Sequence, residues 1–152
     1  MLNPDFRDIL SEFCGAGVEF LVVGAYALAA HGLPRATGDI DLWVRCSPEN
    51  AVRVLTALRR FGAPLEDVTE QDFTSPGTVL QIGVTPRRVD VLTTIDAVEF
   101  EEAWPARIAV EIDGLHVPVL GREHLLRNKR ATGRAKDAVD ASWLEMASGG
   151  TA

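Results

Sequence analysis

Cysteine is scarce in this chain. Only Cys14 and Cys46 occur among 152 residues, far apart and with no Cys-x-x-Cys spacing. That excludes a disulfide-stapled secreted scaffold and a cysteine zinc site, and predicts two reduced, buried thiols in a cytoplasmic protein. Long apolar runs are missing too. None approaches the roughly 20 residues that a membrane-spanning helix needs, so no membrane partner is expected. The opening MLNPDFRDIL is acidic and amphipathic, whereas a secretory leader would be basic and then apolar. Positive charge is in deficit, with a net charge of −7. This argues against a general nucleic-acid coat, because neutralising phosphates takes clustered Lys and Arg, although a local basic patch remains open. There is no Gly-x-x-x-x-Gly-Lys phosphate loop and no Gly-x-Ser-x-Gly elbow. His31, His116 and His124 have no metal-ligand spacing.

What is present fits one α/β domain over residues 1–147, with 148–152 as a flexible tail. The length suits a single core, and neither a repeat nor a long linker divides it. Pro4–Phe13 reads as a helix with Phe6, Ile9, Leu10 and Phe13 on one stripe. Ser47-Pro48-Glu49 is a helix start, and Ala51, Val54, Leu55 and Leu58 recur at core-facing spacing until Gly62. Residues 63–78 form a loop with a short helix near Thr69–Phe73. Strands are expected at 79–84 and 88–94, and a short acidic helix over Asp96–Trp104. Strands at 108–112 and 115–119 flank Asp113-Gly114, a strong hairpin signal. Helices at 122–131 and 136–146 close the chain.

The segment FLVVGAYALAAHGLPRATGDIDLWV, residues 20–44, organises the rest. Phe20–Val23 is an apolar strand, and Gly24 turns it. Ala25–Ala30 are helix formers, and Gly32-Leu33-Pro34 stops them. Side chains alternate along a strand, so Asp39 and Asp41 share one face of the next one, opposite Ile40 and Leu42. Two carboxylates on an otherwise apolar strand need a positive partner, and a metal is the simplest. Asp90, between Val89 and Val91, is a third acid inside an apolar strand. It either joins the first two or pairs with Arg87 or Arg88. Gly24 and the helix start behind it offer backbone N–H groups to a phosphate, although a tight turn alone would need the same glycine. A basic cluster, Arg122 to Lys136, stands out in this acidic chain. Asp137 and Asp140 follow it at helical i, i+3 spacing. Tyr26 either stacks on a base or serves the core.

The 20–44 segment resembles the nucleotidyltransferase superfamily that includes DNA polymerase beta. That family shows a strand ending in Gly-Gly or Gly-Ser, a helix, and an Asp-x-Asp on the next strand. Gly24-Ala25 stands at the glycine pair, and Asp39 and Asp41 at the acidic pair. The wording HGLPRATGDIDLWV is similar to small bacterial nucleotidyltransferases akin to abortive-infection (toxin–antitoxin) proteins. The resemblance recurs at residues 79–94, where Asp90 matches the third acid, and at 121–144, where Lys129, Arg134 and Asp137 match a Lys…Arg-x-Lys-Asp segment. It implies a mixed-sheet fold with helices packed behind and two final helices over the cleft. It also implies transfer of a nucleoside monophosphate from a nucleoside triphosphate to an acceptor hydroxyl on a tRNA end, a protein or a small molecule. Asp39, Asp41 and Asp90 would be catalytic and hold two Mg2+ ions, or Mn2+. Gly24, Ala25, Arg35, Thr37, Lys129 and Arg134 would bind the nucleotide, with Arg35 alternatively paired to Asp39. Ala25 departs from the pattern, since family members carry Gly or Ser there. That departure leaves a second reading open, a non-catalytic module of the same fold that binds a partner protein.

Overall fold

The computed structural model describes residues 2–33, 38–84 and 87–149. A six-stranded mixed sheet runs in the order β3-β4-β2-β1-β6-β5, with β1 at Phe20–Val23, β2 at Ile40–Val44, β3 at Val79–Ile82, β4 at Val89–Leu92, β5 at Ile108–Ile112 and β6 at Leu115–Val119. The helices are α1 (Pro4–Gly15), α2 (Gly24–Ala30), α3 (Pro48–Phe61), α4 (Phe100–Ala103), α5 (Arg122–Ala131) and α6 (Ala135–Gly149). This is the expected α/β architecture. β2 pairs antiparallel with β1 and parallel with β4, so the two acid-bearing strands lie side by side and run the same way. β1 in turn pairs parallel with β6 through Val22 and Val119.

The local chemistry explains most element boundaries. Ser47 caps α3 by accepting the Asn50 N–H at 3.2 Å, with Pro48 in the first turn, and Gly62 ends the helix at φ +90°. Asn3 caps α1 in the same way, accepting from the Asp5 N–H at 2.8 Å. The apolar stripes of α1 and α3 pack against each other, and Phe6, Ile9, Leu10, Phe13, Val54 and Leu58 are each 0% exposed. Ile40, Leu42 and Val44, on one face of β2, are fully enclosed. The short helix near residue 70 is a 3-10 turn over Glu70–Thr74, closed by a capping box between Thr69 and Asp72.

The chain departs from the sequence reading at several places. The helix expected over Asp96–Trp104 shrinks to α4, because Ala97 takes φ +67° and Ile95 bridges to Val98 before the Glu99–Glu102 capping box starts the helix. β3 ends at Ile82, where Gly83 turns at φ +84°. α6 runs through Gly149, past the helix end expected at residue 146. The two thiols are free as expected, but half-buried rather than buried. Among the described residues, no helix is long and apolar enough to cross a membrane.

One buried polar side chain had no forecast. Asn50, 0% exposed, accepts from the Glu19 N–H at 2.8 Å and donates to the carbonyls of Glu19 (3.0 Å) and Arg45 (2.9 Å). It fastens the start of α3 to the ends of β1 and β2. His31, at the end of α2, donates through Nε2 to the Leu120 carbonyl at 2.9 Å, and the Leu120 N–H donates to the Val22 carbonyl at 3.0 Å. Together these bonds hold α2, β1 and the β6–α5 junction as one unit.

Candidate active site

Three carboxylates meet where β1, β2 and β4 lie together. Asp41 and Asp90 are direct partners in the parallel register, so their side chains leave the same face of the sheet. Asp39, two residues before Asp41, reaches the same place. Its Oδ1 accepts from the Arg88 N–H at 3.0 Å, and its Oδ2 lies 3.5 Å from the Arg88 guanidinium. A cavity of about 420 Å³ opens over them, lined on this side by Gly24, Ala25, Asp39, Asp41, Arg88 and Asp90. Lys129, Arg134, Lys136, Asp137 and Asp140 line it from α5 and α6. The structure thus brings Gly24, Ala25, Asp39, Asp41, Asp90, Lys129 and Arg134 into one pocket. Arg35 and Thr37, the other two expected nucleotide-binding residues, lie outside the described residues.

Gly24 is needed here for two separate reasons. Its φ of +69° suits glycine alone, and a Cβ at this position would stand 2.3 Å from Asp41 Oδ2. A carboxylate of the same chain therefore already stands against the turn whose backbone N–H groups the sequence offers to a phosphate.

Crowding shows in the electrostatics. Burial, then the charge and hydrogen bonding of Asp90 and the charge of Asp39, push the Asp41 carboxyl up to about 6, against which Arg88 pulls only weakly. Burial and then the Asp39 charge raise the Tyr26 hydroxyl. Its ring also meets Phe6 edge-on, with centroids 5.8 Å apart, so it serves the core as well.

Arg88 supplies the positive partner inside this group. Its Nε donates to Asp90 Oδ1 at 2.8 Å and its Nη2 to Asp90 Oδ2 at 3.1 Å, a two-point contact. This is the Asp90–Arg88 pairing that the sequence left open. Among the described residues, no three acidic, histidine or cysteine side chains are already disposed as a cation shell. The expected convergence on one ion is thus not preformed, because the guanidinium occupies oxygens of Asp39 and Asp90. The donor set still fits a hard divalent ion. All three groups are carboxylates on one face, and two are register neighbours.

The opposite wall carries the cations. Lys129 is almost enclosed and binds Asp137 Oδ1 at 3.0 Å and Asp140 Oδ2 at 3.6 Å. The Thr132 hydroxyl donates to Asp137 Oδ2 at 2.7 Å, and Arg134 Nε lies 2.9 Å from the same oxygen. Burial alone would raise the Asp137 carboxyl, but the Thr132 hydroxyl, Lys129 and Arg134 together hold it below its ordinary value. The i, i+3 spacing of Asp137 and Asp140 therefore aims both at Lys129 and fixes it at the pocket wall.

The six-stranded mixed sheet with its helices has the nucleotidyltransferase fold. Solved structures carry the likeness. A protein from Thermotoga maritima described as a candidate nucleotidyltransferase superposes with a TM-score of 0.61 at 19% identity, covering 96% of each chain. ANT(2")-Ia in complex with adenylyl-2"-tobramycin superposes with a TM-score of 0.59 at 15% identity, covering 91% of this chain and 84% of the other. No family model matches the chain, and no curated protein matches it by sequence.

Proposed function

We propose that the protein is a nucleotidyltransferase that moves a nucleoside monophosphate from a nucleoside triphosphate to an acceptor hydroxyl. The observation that carries this reading is the pocket itself, with Asp39, Asp41 and Asp90 on one wall and Lys129 and Arg134 on the other. In the reaction an acceptor hydroxyl oxygen attacks the α-phosphorus, its proton passing to a carboxylate of the acid wall. The new O–P bond forms as the bond to the bridging oxygen breaks, and pyrophosphate leaves. Asp39, Asp41 and Asp90 would hold Mg2+, as two ions, or Mn2+. When bound, those ions would supply charge to the attacking and leaving oxygens. Lys129, pinned by Asp137 and Asp140, offers a fixed positive charge to the departing phosphates, and Arg134 extends that charge toward solvent. The protein's contribution is alignment and charge placement.

Among acceptors, a small molecule is favoured over a tRNA end. The acidic balance of the chain disfavours a polyanion, and one protein of the same fold is seen with an adenylylated small molecule, adenylyl-2"-tobramycin. A protein acceptor, within a toxin–antitoxin or defence pair in the cytoplasm, is the alternative target. A non-catalytic module of the same fold is the reading that differs in kind, and Ala25 is what favours it.

Incubating the protein with each α-labelled triphosphate, Mg2+ and separate small-molecule, RNA and protein fractions of a lysate tests this. Label should enter one fraction, and Asp39→Asn should abolish the transfer. Absence of both transfer and Mg2+-dependent triphosphate binding would overturn the enzyme reading in favour of the binding module.

A further inference from the structure

The acid cluster already holds a cation, and that cation belongs to the chain. Arg88 immediately precedes β4 and stands two residues before Asp90, and its side chain reaches the same carboxylate face. The guanidinium lies across both oxygens of Asp90 and within 3.5 Å of Asp39 Oδ2, while the Arg88 backbone N–H takes Asp39 Oδ1. Oxygens of two of the three acids are therefore committed to one residue. The side chain nevertheless lines the cavity and is 30% exposed, so it has room to move.

We propose that Arg88 is the resident counter-ion of this site and competes with the divalent cation, so that metal and triphosphate load together. The inference rests on the reading above of these acids as cation ligands. A bare ion entering the cluster must displace a two-point guanidinium contact and leave that charge in a partly buried pocket with its best partners taken. A triphosphate removes this obstacle, because phosphate oxygens accept the same planar fork of N–H donors. It also meets Lys129, Arg134 and Lys136 on the facing wall. Each ligand then raises the affinity of the other by the same factor, with Arg88 as the shared element.

The test is Mn2+ binding to the purified full chain, followed by electron paramagnetic resonance, with and without a non-hydrolysable triphosphate analogue. Wild type should bind bare Mn2+ weakly and much more tightly with the analogue. Arg88→Gln should bind bare Mn2+ about tenfold tighter or more, the scale of losing one charge-assisted contact, and should gain less from the analogue. Arg88→Lys keeps the charge without the fork and should fall between. It also carries the test should Arg88→Gln fail to fold without metal. If wild type binds Mn2+ but neither substitution tightens bare-ion binding, Arg88 organises the acids instead of competing for them, and the proposal is overturned while the metal site stands. If none of the three proteins binds Mn2+ under either condition, the metal reading falls and takes this one with it.

Discussion

Neutralising Asp41 should stabilise the metal-free protein. Its carboxyl is moved from 3.8 to about 6 by burial and by the charges of Asp90 and Asp39. A shift of about 2 pKa units corresponds to on the order of 3 kcal/mol at roughly 1.4 kcal/mol per unit, borne by the folded state whenever Asp41 is ionised. Asp41→Asn keeps the shape and removes the charge, and its amide can donate to Asp90 where Asp41 now repels it. A gain of about 1–3 kcal/mol is expected near neutral pH, which for a chain of this size raises the melting temperature by roughly 3–10 °C. The pH dependence fixes the cause. Between about 6 and 3.8 the folded state binds a proton that the unfolded state does not, so wild type gains stability as pH falls through that window, while the variant does not. The gap between them should be full above about 6 and close toward pH 4. Below 3.8 both proteins lose the contribution of Asp137, whose carboxyl is held low. Scanning calorimetry in EDTA at four pH values between 7.5 and 4 measures this directly. An Asp41→Asn protein that melts no higher than wild type at pH 7.5, or a gap that does not change with pH, would refute the account of a repulsive acid cluster.

Three further changes probe the scaffold of the site. Gly24→Ala drives a Cβ against Asp41 Oδ2 at positive φ and should cost about 2 kcal/mol or more in urea unfolding; an unaffected midpoint would show that the turn is freely adjustable. Lys129→Ala strips the counter-charge from Asp137 and Asp140, whose side chains are 5% and 0% exposed, and should cost about 3–5 kcal/mol. Adding Asp140→Asn should recover part of that loss, and a double variant no better than the single would argue that the two charges are not coupled. Asn50→Leu orphans the Glu19 N–H and takes one of two donors from the carbonyls of Glu19 and Arg45, which keep the Arg45 and Ser47 N–H groups; a loss of about 1–3 kcal/mol is expected by denaturant titration, and a neutral result would mean that water replaces the amide.

Local signals carried much of the architecture. Ser47, Pro48 and Gly62 bounded α3, and Asp113-Gly114 placed the β5–β6 turn, because caps and tight turns depend on residues a few positions apart. Period-2 alternation also put Asp39 and Asp41 on one face, but only the parallel register of β2 and β4 sets Asp90 beside Asp41. The part played by Arg88 was half visible, since an arginine two residues before a strand aspartate must share its face. Its bond to Asp39 was not visible, because that contact crosses between strands. Asn50 offered a faint signal, as a polar residue immediately before the apolar stripe of α3, yet two of its three bonds go to Glu19, 31 residues earlier. The Asp96–Trp104 region failed for a different reason. Its acidic composition suited a helix, and Ala97 at positive φ broke it.

The pairing of Val22 with Val119 bears on how the protein is made. β1 leaves the ribosome well before β6, one of the two strands beside it. The acids at 39, 41 and 90 emerge well before the cationic wall at 129–140. During synthesis there is therefore an interval in which the acid cluster exists beside Arg88 while the wall at 129–140 is still missing. Contacts this distant in sequence slow folding. A ribosome stalled before α6 would carry a chain with the acidic wall and no opposing wall, so triphosphate binding should appear only once residues near 140 have cleared the exit tunnel.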